Sequence, residues 1–141
     1  MSLSTDVKAA IGQIVVETAW IEYVMATLIA RVDRRNIMEV LKEDGSKLAK
    51  RAKQAATKLN ETEMVVRAES WLKEAEELRT QRNQIIHSIV AKAHPGWTGY
   101  YPRGEIFREY KTREIVDLAY RMSRSAAVGE NMAHSEWPRP S

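Results

Sequence analysis

Hydrophobic residues recur every three or four positions over three long stretches of the chain, a spacing that places them on one face of a helix. The first stretch predicts a helix from about residue 6 to residue 32, capped by Thr5 or Asp6. Its main apolar stripe consists of Val7, Ile11, Ile14, Thr18, Ile21, Met25, Leu28 and Val32. A second stripe consists of Val15, Ala19, Glu22, Ala26 and Ile29. Because two stripes cover more than half of its circumference, this helix should be central or should contact both its own core and a partner chain.

The remaining helices follow from the same periodicity. A short helical piece at about residues 36–43 ends at Asp44-Gly45, and Ser46 is expected to cap a helix that reaches about residue 59. A third helix is predicted over residues 62–92, with an apolar stripe formed by Trp71, Ala75, Leu78, Ile85 and Ile89. A last helix begins after a cap at Thr112 and places one apolar face at Ile115, Leu118, Ala119, Met122 and Ala126.

Between the last two long helices the pattern changes. His94-Pro95-Gly96 ends the third helix, and two aromatic-rich runs at 97–101 and 105–110 flank Pro102-Arg103-Gly104, which predicts a short β-hairpin. The segment from about residue 134 contains two prolines and few anchors, so it is expected to fray. The chain is therefore predicted to be a single all-α domain over residues 1–141, an up-and-down helical bundle with one β-hairpin.

Composition excludes several kinds of chemistry and location. The chain has no cysteine, which excludes disulfides, thiol catalysis and thiolate metal sites. Its first residues lack a charged segment followed by an apolar one, so no signal peptide is expected. Glu17 and Glu22 interrupt the longest apolar stretch, so no membrane span is expected and the predicted location is cytoplasmic.

The net charge of +3 points only weakly to a nucleic-acid partner. Lys47, Arg51 and Lys58 share one face of the helix that follows Gly45, with Lys50 and Lys53 near them. A set of this kind is either a solvated helix face or a surface that contacts phosphates.

Arg82 occupies the position where the apolar stripe of the third helix should continue. A buried guanidinium must find a partner, because an unpaired buried charge costs several kcal/mol, roughly. Glu22 interrupts the second apolar stripe of the first helix in the same way, so an ion pair of Glu22 with Arg82 or His87 is expected. Asn83 and His87 are four residues apart and lie on one helix face.

An imidazole beside a guanidinium suits RNA cleavage. RNA carries its own nucleophile, the 2′-hydroxyl, so the protein must supply a general acid or base, as His87 can, and a fixed cation, as Arg82 can. Asn83 could orient the imidazole or bind the phosphate. Arg82 and His87 lie about 140° apart around the helix, so they flank a site that a second chain could close. No cofactor is expected, and no carboxylate stands at ligand spacing from His87 and His94, so no metal site is predicted either.

The segment Arg82-Asn83-Gln84-Ile85-Ile86-His87 resembles the signature of the HEPN superfamily, an Arg followed by a polar residue and by a His after a gap of four to six residues. Its place late in a long helix, the opening helix with Trp20-Ile21-Glu22, and the predicted hairpin and final helix are similar to small bacterial and phage members. Ser88 follows the His where Gly is frequent in the family, which is a departure.

The resemblance implies a HEPN-like bundle and a metal-independent endoribonuclease. Arg82 and His87 would be catalytic and Asn83 supportive, in a cleft formed by two copies in a homodimer. Many members are toxins or antiviral defence components, which implies RNA as substrate and an antitoxin or another protein as a partner. Two alternatives stay open: a catalytically silent interaction module, and a helical nucleic-acid-binding protein that uses Lys47, Lys50 and Arg51.

Overall fold

The computed structural model describes residues 3–93 and 110–140, with only the backbone described at 90–93. Within these ranges the chain forms five helices: α1 Thr5–Asp33, α2 Ile37–Val40, α3 Gly45–Ala56, α4 Thr62–Ala93 and α5 Thr112–Ser135. The all-helical prediction is confirmed for this part of the chain. The predicted β-hairpin at 97–110 lies outside the described residues, apart from Tyr110.

The helix starts differ from the predicted caps by one or two residues. Ser4, rather than Thr5 or Asp6, caps α1, since its hydroxyl accepts a hydrogen bond from the N–H of Val7 at 3.2 Å. Asp44, rather than Ser46, caps α3. An N-cap residue must have an extended backbone while its side chain reaches the third residue of the helix, and Ser4 and Asp44 both meet this requirement.

The carboxylate of Asp44 accepts the N–H of Lys47 at 3.0 Å and the hydroxyl of Ser46 at 2.8 Å. These two bonds hold the pKa of Asp44 below its ordinary value of 3.8, the Lys47 bond contributing most. A lowered folded-state pKa means that the stabilisation is complete above the unfolded-state pKa and is lost as pH falls through the folded-state pKa.

We therefore expect the stability difference between the wild type and Asp44→Asn to narrow in acid. The amide oxygen of asparagine still accepts the capping bond, but it carries no charge to favour the N-terminus of α3. Thermal unfolding of both proteins between about pH 6 and about pH 2 measures this difference. A difference that stays constant over the whole range would contradict the assignment.

Helix α1 is the centre of the bundle. It packs most extensively against α5, then against α3, and also touches α2 and α4. The largest side chains that are almost completely buried include four from its inner face, at positions 14, 21, 25 and 28. This central position confirms the first part of the expectation drawn from its two apolar stripes.

Helices α4 and α5 run antiparallel, as three contacts at successive levels show. Arg121 donates to the side-chain oxygen of Gln81 at 2.7 Å, and the indole N–H of Trp71 donates to the carbonyl of Ser125 at 2.8 Å. Near the other end, Arg67 donates to a carboxylate oxygen of Glu136 at 2.6 Å. Helix α5 runs alongside α1 in the same direction, since Gly129 lies at Val24 and Arg31 bonds to the carbonyl of Ala133.

The C-terminal segment is anchored to this core. Helix α5 continues to Ser135, and the side chain of Trp137 is only 5% exposed. Its ring packs edge-on against Trp71, with the two ring centroids 6.3 Å apart. This anchoring differs from the prediction that the chain frays from about residue 134, because an indole near the end of the chain covers another indole in the core.

Helix α1 also has the length and apolar composition of a membrane-crossing helix, despite Glu17 and Glu22. Half of its most apolar 18-residue stretch is buried inside the bundle, as in the core helix of a globular protein. Length and composition alone therefore do not support the prediction that no span is present.

Candidate functional site

The C-terminal third of α4 carries the Arg82–His87 segment. Leu78 and Ile85 on the predicted stripe are 2% and 3% exposed, and Arg82 lies between them with intermediate exposure. The register predicted from the sequence is confirmed here. The guanidinium of Arg82 therefore starts from an apolar surface and must find a hydrogen-bond acceptor close by.

Asn83 is that acceptor. Its side-chain oxygen receives hydrogen bonds from Nε of Arg82 at 3.2 Å and from Nη2 of Arg82 at 2.7 Å. Two donors on one oxygen fix the plane of the guanidinium relative to α4. The sequence placed Asn83 beside the imidazole or the phosphate, whereas the structure places its oxygen on the arginine.

Glu22 lies beside Gly45, the first residue of α3. Its Oε1 lies 2.8 Å from the point where a Cβ on Gly45 would stand, and Nη2 of Arg79 lies 2.5 Å from the same point. The guanidinium that shares this neighbourhood with Glu22 is that of Arg79, on the preceding turn of α4, and the ion pair of Glu22 with Arg82 or His87 stays a prediction.

The side chain of Arg79 is largely buried, at 13% exposure. Its Nη1 donates to the carbonyl of Gly45 at 2.9 Å and to a carboxylate oxygen of Glu76 at 2.9 Å, while its Nε is buried without a partner. Arg79 thus ties α4 to the first turn of α3. The sequence contains a signal for it, because Leu72, Ala75 and Arg79 follow a second apolar register at steps of three and four.

His87 lies one turn beyond Asn83 on the same helix and is half-buried. It takes part in an interaction with another group of the protein. Arg82 and His87 are separated by about 140° around the helix axis. Asn83 and Arg82 are therefore brought together within one chain, while His87 points to a different side of α4.

The basic residues of α3 divide into two groups. Lys47 and Lys50 are exposed. Arg51 instead forms an ion pair of 2.7 Å with Glu43, which also receives Arg35 at 3.5 Å. Glu43 is only 13% exposed and neutralises part of the charge of Arg51 and Arg35. Arg51 therefore stabilises the junction of α2 and α3, and it is less available to a phosphate than the two lysines.

Two open grooves in the described part of the protein lie near these elements; Gln84 lines the first of them, whereas Arg82, Asn83 and His87 line neither. One, of about 890 Å³, follows the outer side of α4 beside α3 and is lined by three carboxylates, from Glu69, Glu76 and Glu77, against two lysines. The other, of about 650 Å³, lies between the C-terminal ends of α1 and α5 near Arg31, Arg35 and His134. The mixed charge of the first groove does not favour a nucleic-acid backbone.

Within the residues described, no cluster of three or more His, Asp or Glu side chains could hold a metal ion. The arrangement at α4 can therefore offer a fixed cation from Arg82 and an imidazole from His87 as its reactive groups. The protein matches no family model, no curated protein and no solved structure. Membership of the HEPN superfamily accordingly stays a prediction from the sequence motif.

Proposed function

We propose that the protein is a HEPN-type, metal-independent endoribonuclease that works as a homodimer in the cytoplasm. The observation that carries this proposal is the guanidinium of Arg82, which Asn83 holds through two hydrogen bonds. His87 lies one turn after Asn83 on the same face of α4. A fixed cation and a titratable ring are the two groups that cleavage of RNA through its own 2′-hydroxyl requires. A role as a toxin or in phage defence, with an antitoxin as partner, belongs to the same proposal.

In the proposed reaction the RNA 2′-oxygen attacks the adjacent phosphorus and the bond from phosphorus to the 5′-oxygen breaks. His87 takes the proton of the 2′-hydroxyl or gives a proton to the departing 5′-oxygen, and the same ring in the second copy can do the other. Arg82 stabilises the charge that develops on the phosphoryl oxygens. The products are a 2′,3′-cyclic phosphate and a 5′-hydroxyl, so no water and no metal ion enters the bond-making step.

The homodimer is part of the proposal because one chain holds only part of a site. Arg82 and His87 diverge by about 140°, so a phosphate held by one side chain is not directly in front of the other. A second copy could supply the missing group. Lys47 and Lys50 are exposed and could contact the RNA backbone outside the site.

The competing function is a catalytically silent HEPN-like interaction module. Its support is that Arg82 already has an acceptor within its own chain, through two of its donors. In such a protein Arg82 and Asn83 would stabilise α4, and substitution of His87 would leave binding unchanged.

The decisive experiment is RNA cleavage in the presence of a chelator. We expect the wild type to cleave, and His87→Ala to lose about 10²–10⁴-fold in rate, the usual contribution of a general acid or base. The upstream fragments should end in 2′,3′-cyclic phosphates, which block extension by a poly(A) polymerase because that enzyme needs a free 3′-hydroxyl, and which mass spectrometry identifies by their mass.

His134→Ala is the matched control, because His134 is an exposed histidine on α5, far along the chain from the motif. It should cleave like the wild type. Equal cleavage by the wild type and His87→Ala, or cleavage that the chelator abolishes, would refute the proposal. Absence of cleavage by a folded, dimeric wild type would favour the silent module.

A further inference from the structure

The outer face of α1 is apolar and uncovered along its first half. Val15 and Val16 are 59% and 54% exposed, and Trp20 and Tyr23 are 47% and 42% exposed. The strip of this face formed by Ala9, Gly12, Val16, Trp20 and Tyr23 contains no charged residue. A solvated helix face of this length would ordinarily carry charged side chains, so this strip, called the α1 outer face below, has the composition of a contact surface.

The residues of the α1 outer face are spaced symmetrically about Val16. The steps from position 9 to position 23 are three, four, four and three. The residues before Val16 are small, Ala9 and Gly12, and those after it are large, Trp20 and Tyr23. A two-fold axis through Val16 would place the small residues of one copy opposite the large residues of a second copy. The face is therefore complementary to itself.

We propose that the α1 outer face is the homodimer surface, with two α1 helices crossing antiparallel at Val16. In this arrangement Gly12 of one copy faces the second copy's Trp20, and Ala9 faces the second copy's Tyr23. Positions 12, 16 and 20 form one of the four-residue ridges by which helices commonly pack.

Gly12 is the residue that makes the close approach possible. A Cβ placed on it meets no atom within 4 Å in the single chain, so nothing in the monomer requires glycine there. Glycine weakens the interior of a helix relative to alanine, and its place opposite a large ring in the dimer accounts for it. Trp20 and Tyr23 are already packed edge-on, with centroids 5.9 Å apart, and so present one preformed aromatic unit.

The area of this surface suits a dimer of modest affinity. Val16, Trp20 and Tyr23, together with the neighbouring Val15, are about half exposed and contribute roughly 350 Å² per copy, where a standard interface buries about 800 Å² per partner. The remaining area must come from the smaller residues and the flanks of α1. We therefore expect dissociation in the micromolar range.

This inference names the partner surface for the homodimer of the proposed function, and the measurement of mass is independent of cleavage. Sedimentation velocity of the full chain over about 1–200 µM should show a concentration-dependent dimer. Gly12→Leu fills the space that the second copy's Trp20 requires and should weaken the dimer at least about tenfold, and Val16→Glu should do the same. The circular dichroism of Gly12→Leu should remain helical, since its own chain has room for the side chain.

Val66→Glu is the control, because Val66 is an exposed valine (61%) on α4, outside the α1 outer face. It should dimerise like the wild type. A wild type that stays monomeric throughout, or a dimer that Gly12→Leu leaves unchanged, overturns the inference. A monomer that instead co-sediments with vesicles of mixed zwitterionic and anionic phospholipid assigns the face to a lipid surface and also overturns it.

Cleavage by the same variants separates the two proposals. A dimer broken by Gly12→Leu together with lost cleavage supports both. A dimer that forms through α1 without any RNA cleavage refutes the proposed function and leaves the inference standing. Full cleavage by a monomeric Gly12→Leu, with the wild type dimeric, refutes only the composite site.

Discussion

Replacing Trp71 by alanine should destabilise the protein by about 3–5 kcal/mol, because it removes a large buried side chain that cannot be replaced by collapse of its neighbours. Trp71 is 3% exposed and its N–H donates to the carbonyl of Ser125 at 2.8 Å. It also supports Trp137 and packs under Gly129, so the substitution loosens α5 along much of its length. A shift of the unfolding temperature by roughly 10–20 °C should result.

Trp20→Ala provides the comparison of a tryptophan that lies on the surface, at 47% exposure. At concentrations where the chain is monomeric this change should alter the unfolding free energy by less than about 1 kcal/mol. Urea unfolding followed by circular dichroism measures both variants. Similar losses from Trp71→Ala and Trp20→Ala would contradict the placement of α5 against α4.

Replacing Gly129 by alanine should destabilise the protein by about 1–3 kcal/mol, although alanine is the better helix former. The added Cβ would stand 2.6 Å from Cζ2 of Trp71 and 2.8 Å from Cγ1 of Val24. Neither atom is at the end of a flexible side chain, so α5 must move away from both α1 and α4. Interiors at crystal-like packing density do not absorb such a shift without loss.

Gly12→Ala is the matched control, since both glycines are helical and only Gly129 is enclosed. Gly12→Ala should stabilise the monomer by up to about 1 kcal/mol through helix propensity alone. The free energies of unfolding of the two variants should therefore move in opposite directions. If Gly129→Ala also stabilised the protein, the close approach of the three helices at this position would be refuted.

The long helices could be predicted because their packing repeats along the sequence. Apolar positions at helical spacing fix which side of α1, α4 and α5 faces inward, and the bounds of α4 agree with the prediction to within one residue. Cap positions are harder to predict, because Asp44, Gly45 and Ser46 are all compatible with a helix boundary and only the backbone conformation decides among them.

The sequence predicted which face of α4 carries Arg82, but it did not predict which side chains Arg82 and Glu22 contact. Periodicity placed Arg82 between buried neighbours, but an ion pair between helices depends on their separation and on how far each side chain reaches. Glu22 therefore meets the region of Arg79 and Gly45, one turn before the arginine expected. In the same way, Arg51 on the basic face of α3 forms an ion pair with Glu43. Glu43 lies in the turn before α3, and no periodicity of the sequence predicts its partner.

The contact of Trp137 with Trp71 has a consequence for the order in which the chain can fold. The two indoles are far apart in sequence, so the part of Trp71 that Trp137 covers stays exposed to water until Trp137 has been synthesised. Helices α1, α3 and α4 can associate earlier, but the resulting intermediate lacks α5 and exposes the apolar indole of Trp71 to solvent. During translation this nascent bundle should be a substrate for chaperones until α5 and Trp137 have packed against α4.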